Sequence, residues 1–173
     1  MREKTQKEQL EDMMKRPIPR KKVGIIHLNM IRESRCLYGM HRIASAAHAV
    51  EMVRPLVKQA DREMVLVAST NVRLEPMALE IAAVGGIESC FVDVRSIFKH
   101  ALLNQAFSVI CFHNHPSGDA EPSQEDRKMT KQMSEAGKLL GIALLDHIII
   151  GEHDYYSFRE NRELTDILPD IPA

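Results

Sequence analysis

A run of apolar and small residues, Ala106-Phe107-Ser108-Val109-Ile110-Cys111-Phe112, passes without a break into His113-Asn114-His115-Pro116. A short continuous apolar run bounded by turn residues reads as a strand buried on both faces. The chain must therefore build a sheet around it, and the flanking sequence supplies the other strands. Met64–Thr70 (Met-Val-Leu-Val-Ala-Ser-Thr) is a second buried run, with Met77–Val84, closed by Gly85-Gly86, as its antiparallel neighbour. Ile142–Ile150 and Tyr155–Arg159 read as two more strands, Val23–Ile31 as a further β-like run, and residues 36–43 as its hairpin partner.

Helical spacing separates these runs. Ser45 to Gln59 carries Ala46, Val50, Val53 and Val57 at intervals of three and four, with Pro55 expected to kink or end the helix. Asp93 is an N-cap for a helix through Asn104. Ser123 opens a helix to Leu140 with Met129, Met133, Ala136 and Leu140 as its inner stripe and Gly141 just past its end. Strands and helices mix without regular alternation, so the expected fold class is α+β (mixed α/β): a curved mixed β-sheet flanked by helices.

Composition narrows the setting. A chain of 173 residues, 45% hydrophobic and 27% charged, is one globular domain's worth and excludes a disordered, collagenous or disulfide-scaffold protein. With no Trp, the core must be filled by Leu, Ile, Val, Met and Ala. No apolar run approaches a membrane span and the start lacks a signal-peptide segment, so the expected location is cytoplasmic, with no membrane contact. Cys36, Cys90 and Cys111 form no Cys-x-x-Cys pair, which fits reduced thiols and argues against a cysteine zinc site. The net charge of −1 hides an asymmetry: residues 1–22 carry +4 and the rest −5. Residues 1–22 read as a basic flexible tail and 23–173 as the domain. The tail is either a handle for nucleic acid or an acidic partner, or a solvated extension.

The chemistry concentrates in His113-Asn114-His115-Pro116-Ser117-Gly118-Asp119-Ala120-Glu121-Pro122-Ser123-Gln124-Glu125-Asp126. Residues two apart at a strand end point to the same side, so His113 and His115 form half of a zinc site. Asp126, one turn into the next helix, can turn back as the third ligand. Two nitrogens and one oxygen leave the fourth tetrahedral position open, where a catalytic zinc holds water. Glu63, at the start of the Met64–Thr70 strand, is the candidate base, and Ser123 the candidate oxyanion donor. Ser123 and Asp126 also spell a helix-capping pattern that needs no catalysis. The full combination should nevertheless arise by chance in only on the order of one in 10⁴–10⁵ chains of this composition. Asp146-His147 either orients a ligand or contains a satisfied interior histidine. His27, His41, His48, His100 and His153 have no partner at ligand spacing.

These residues resemble the JAMM motif of the JAB/MPN metalloenzymes and, more narrowly, the bacterial RadC family. The likeness continues through Glu135-Ala136-Gly137-Lys138-Leu139-Leu140-Gly141-Ile142, Leu145-Asp146-His147-Ile148-Ile149-Ile150-Gly151 and Tyr156-Ser157-Phe158-Arg159-Glu160, and covers about residues 45–160. The resemblance implies an MPN/JAB-like sheet with one zinc ion on His113, His115 and Asp126 at a strand end and helix start. It also implies Glu63 as base and Ser123 as oxyanion donor. The implied activity is a zinc-dependent hydrolase attacking an amide carbonyl, a metallopeptidase or isopeptidase acting on a peptide or protein. Two alternatives are a RadC-type DNA repair or DNA-associated accessory protein, touching nucleic acid through residues 1–22, and a non-catalytic MPN interaction domain. A homodimer is the other expected assembly. The sequence departs from RadC-like chains at Asp93-Val94-Arg95-Ser96, where relatives usually carry His-Pro-Arg-Glu. Full-length relatives also bear an N-terminal helix-hairpin-helix module, which residues 1–60 do not resemble.

Overall fold

A computed structural model describes residues 42–85 and 93–165, together with Thr5, Lys7, Glu8, Glu11 and Lys15. The expectations for Val23–Ile31, for residues 36–41, and for Cys36, Gly86 and Cys90 lie outside the described residues. The chain divides into two compact units, Met1–Arg35 and Cys36–Ala173. In the first, Thr5 N–H donates to Glu8 Oε2 at 2.7 Å and Glu8 N–H to Thr5 Oγ1 at 3.3 Å, a reciprocal cap on a helical stretch.

The second unit contains α1 (Ala46–Val57), β1 (Met64–Thr70), β2 (Pro76–Val84), α2 (Val94–Leu103), β3 (Ser108–Asn114), α3 (Gln124–Leu140), β4 (Ala143–Ile150) and β5 (Tyr155–Ser157). The five strands form one sheet in the order β2-β1-β3-β4-β5. The β3–β4 pair is parallel and the other three are antiparallel. A parallel pair needs a crossover, and α3 provides it. The expected mixed α+β class is borne out: a mixed five-stranded sheet with three helices among the described residues. None of the described helices is long and apolar enough to cross a membrane.

β3 is buried along its whole length because both faces of the sheet are covered. On one face, Val65, Val67, Val109, Cys111, Leu144 and Ile149 pack with Ile97, Phe98 and Ala101 of α2 and Met133 of α3. On the other, Leu66, Ala68, Ile110, Phe112, Leu145 and Ile148 pack with Ala49, Val50, Val53 and Val57 of α1. The period-two alternation of β1 and β3 thus splits the core into two clusters, and β4 follows them with its phase shifted at the bulge between Leu144 and Asp146.

Four element expectations need correction. The helix begun by Ser45 ends at Val57 rather than Gln59; it runs two residues past Pro55, where Pro55 and Glu51, whose carbonyl loses its partner there, both face solvent. The central strand spans Ser108–Asn114 rather than Ala106–Phe112. Its parallel partner β4 runs to Ile150, pairing His113 with Ile149 and Asn114 with Ile150, so the ladder extends into the histidine motif. The last strand stops at Ser157 instead of Arg159, where the chain turns. Of the expected α3 stripe, Met133 is buried and Met129 and Ala136 pack partly buried against the same core, but Leu140, in the last turn, is 41% exposed, and Asp126, Thr130 and Gly137 are buried beside them. Helical periodicity alone misses Gly137 because it has no side chain. A Cβ there would lie 2.5 Å from Ile142 O, so glycine allows the helix to rest on backbone. Gly141 closes α3 at φ 69°, the left-handed conformation that favours glycine.

Candidate metal centre

Three elements meet at the C-terminal end of β3. His113 lies within the strand, His115 follows one residue beyond it, and Asp126 is the third residue of α3. His113 Nε2 is 3.0 Å from His115 Nε2 and 3.2 Å from Asp126 Oδ1, and His115 Nε2 is 3.6 Å from Asp126 Oδ2. His113, His115 and Asp126 are the one His/Cys/Asp/Glu group among the described residues whose donor atoms lie close enough to share an ion. Ligands held about 2.05 Å from a tetrahedral zinc stand about 3.3 Å from one another, and the three observed separations bracket that value.

The hydrogen bonds behind the triad assign its protons. Thr130 Oγ1 donates to the Asp126 carbonyl at 2.7 Å, so at its 2.7 Å contact with His147 Nδ1 the hydroxyl accepts. His147 then carries its proton on Nδ1, and its Nε2 accepts from His113 Nδ1 at 2.9 Å. Burial holds the His147 pKa well below the ordinary histidine value, which keeps this ring neutral. His115 Nδ1 is 2.7 Å from the Asp119 carbonyl, which can only accept. Both rings, when neutral, therefore turn an unprotonated Nε2 toward the Asp126 carboxylate. Three lone-pair atoms face one another with no donor between them, an arrangement that only a cation or an added proton relieves. The chemistry of this donor set fits a metal ion such as zinc.

Asp126 is oriented by the start of its own helix. Its Oδ2 accepts from Ser123 N–H at 2.8 Å and Ser123 Oγ at 2.6 Å, while Asp126 N–H donates to Ser123 Oγ at 3.1 Å. This capping box leaves Oδ1 for His113, while His115 Nε2 lies nearest Oδ2, the oxygen that Ser123 also bonds. Burial works to raise the Asp126 pKa, but His113, His115 and Ser123 outweigh it and hold the group far below the usual carboxylate range. Asp126 is the main cause that raises the His115 pKa, against burial, with smaller help from the Asp119 carbonyl and the Glu63 charge.

Glu63 precedes β1 and is half-buried. Val65 pairs directly with His113, and by alternation Glu63 shares the face of Val65. Its charge is close enough to be felt at His115. Ser123 sits beside Asp126, its hydroxyl proton directed to Oδ2. At the departure from the RadC-like pattern, Asp93 caps α2 through Arg95 N–H at 2.9 Å and pairs with the Arg95 guanidinium. His147 is the functional neighbour that sequence reasoning left undecided. It orients His113, as one of the two readings held, and it is also fully buried. The signal that would have found it is the parallel register of β3 and β4, which sets Cys111 beside His147.

The Asp146-His147 dipeptide has two separate jobs, because adjacent strand residues point apart. Asp146 accepts from Ser157 Oγ at 2.5 Å and from Arg159 N–H at 3.0 Å, tying β4 to the turn after β5. Burial raises its pKa to about 6 against those two bonds. An unfolded aspartate titrates near pH 4, so the native chain binds the extra proton between about pH 4 and pH 6. Stability from this group is present below that window and is lost as pH rises through it, by roughly 3 kcal/mol in all. Asp146→Asn should abolish that loss. Urea unfolding from pH 4 to 7 should show the variant gaining on the parent as pH rises, and a constant difference would refute the assignment.

A family profile for the RadC-like JAB domain matches residues 43–164. UPF0758 proteins of Alkaliphilus metalliredigens, Listeria monocytogenes and Methanosarcina barkeri are 39%, 42% and 37% identical to this chain over 120, 112 and 119 residues. Those alignments cover 69%, 65% and 69% of this chain and 52%, 50% and 52% of the relatives. The chain thus spans about half the length of the curated relatives it matches. The matched span takes in the sheet, the crossover helix and all three residues of the triad, and by that match the chain belongs to the RadC-like JAB domain family.

Proposed function

We propose that this domain is a zinc-dependent hydrolase that cleaves an amide bond in a peptide or protein, in the manner of JAMM metallopeptidases and isopeptidases. The observation that carries this reading is the convergence of His113 Nε2, His115 Nε2 and the Asp126 carboxylate within 3.0 to 3.6 Å of one another. These atoms would hold one zinc ion and leave a fourth position open. When bound, the ion would polarise the amide carbonyl and bring the pKa of a water toward neutrality. Glu63 takes a proton from the attacking water on its carboxylate and passes it to the departing amine nitrogen. The C–N bond breaks, the carbonyl carbon keeps the water oxygen, and Glu63 returns to its starting charge. Ser123 serves the developing oxyanion by turning its hydroxyl away from Asp126 Oδ2, which retains the backbone N–H of Ser123.

The test is elemental analysis of protein purified without a metal-affinity step, followed by a peptide library incubated with and without chelator. One zinc per chain is expected, with next to none in His113→Ala, and cleavage that stops with chelator and returns with zinc. Equal metal in His113→Ala, or cleavage indifferent to chelation, would overturn the reading.

A further inference from the structure

Asn114 stands between the two histidines of the triad, yet its side chain turns to a different part of the chain. Its Oδ1 accepts from Met64 N–H at 2.9 Å and its Nδ2 donates to the Arg62 carbonyl at 3.2 Å. Those two groups belong to the peptide units on either side of Glu63. Met64 N–H closes the unit that holds the Glu63 carbonyl, and the Arg62 carbonyl opens the unit that holds the Glu63 nitrogen. The third contact comes from just past the end of β2, where Gly85 N–H donates to the Glu63 carbonyl at 2.7 Å. Asn114 is only 5% exposed, so water competes poorly for either bond.

The β1–β3 ladder explains why a side chain is needed here. Its last paired rung is Val65 with His113, and the chain then turns into the His115-Pro116 loop. Glu63 lies beyond that rung and has no strand partner on the β3 side. The amide of Asn114 supplies one donor and one acceptor, the same pair a neighbouring peptide would offer, and so continues the ladder by one step. Aspartate cannot donate to the Arg62 carbonyl, and Ser or Ala cannot reach both groups.

We infer that Asn114 is a positioning residue for Glu63: it fixes the backbone on both sides of the base and ties it to the strand that carries His113. Ligand and base are then referenced to the same strand end. This inference rests on the proposed role of Glu63 as base, while the bracket itself does not.

The test uses the full chain with Asn114→Ala and Asn114→Asp, the second preserving size and the bond from Met64 N–H. Amide exchange at Met64, measured by NMR on metal-free protein, should quicken roughly tenfold in Asn114→Ala and less in Asn114→Asp, as expected for loss of one buried hydrogen bond. Zinc per chain and chelator competition should match the parent in both. Against a peptide found in the library, kcat should fall about 10- to 100-fold with little change in KM. Adding Asn114→Ala to Glu63→Gln should cost no further activity, since both act through one group. Unchanged exchange at Met64, loss of zinc, or a further drop in the double variant would each overturn the inference. Should the parent bind no zinc and cleave nothing, the hydrolase reading fails, and the exchange measurement still decides whether Asn114 holds the Glu63 segment.

Discussion

Glu63→Gln is expected to keep the zinc and lose about 10²- to 10⁴-fold in kcat, the usual contribution of a positioned general base. The substitution replaces one carboxylate oxygen by an amide nitrogen and removes the carboxylate proposed to accept and return the proton. Little else changes. The backbone around residue 63 is held by Asn114 and Gly85, and none of those bonds involves the Glu63 side chain. The three atoms of the triad come from other residues, so the ion should be retained at parental stoichiometry. Steady-state kinetics on a cleaved peptide, with zinc analysis of the same sample, check both halves. Full activity would remove Glu63 from the mechanism, and loss of zinc would place it among the ligands instead.

Asp126 gives the second large effect, and two substitutions divide it. Asp126→Ala removes the Oδ1 ligand together with the acceptor for Ser123 N–H and Oγ. Zinc should fall to near zero, and the metal-free protein should lose about 1–2 kcal/mol with the helix cap. Asp126→Asn behaves differently. Its amide oxygen can take the place of Oδ2 opposite Ser123, and its NH₂ group then faces the His113 lone pair as a donor. Zinc should again be lost, yet the metal-free variant should be at least as stable as the parent at pH 8, because a repulsive contact becomes a hydrogen bond. Thermal unfolding with metal analysis separates the two. A metal-free Asp126→Asn less stable than Asp126→Ala would contradict the tautomers assigned to His113 and His115.

The triad was legible because its residues lie within fourteen positions and each sits on an element with a local signature. β3 announces itself as an apolar run, and the start of α3 as a Ser-x-x-Asp cap. The same locality made β1, β2, the start of α1 and the cap of α2 readable, and fixed the mixed class of the fold. What could not be read depends on pairing between distant segments. His147 reaches His113 only through the parallel register of β3 and β4, which includes a shift between Val109 and Ile110. Asn114 finds Glu63 across the end of an antiparallel ladder, between residues fifty apart in the chain. Thr130 and Gly137 were passed over on α3 because apolar periodicity looks for large side chains, whereas one of these faces an imidazole and the other a backbone carbonyl.

The crossover between β3 and β4 has one more consequence. The helix that returns the chain also brings Asp126 against His113 and His115 and Thr130 against His147, so closing the parallel pair and assembling the triad go together. A nascent polypeptide that has not yet docked this connection offers a cation only a His-x-His pair, a weak chelate. An ion taken up by the completed triad would, by mass action, deepen the native basin without rewarding misassembled intermediates.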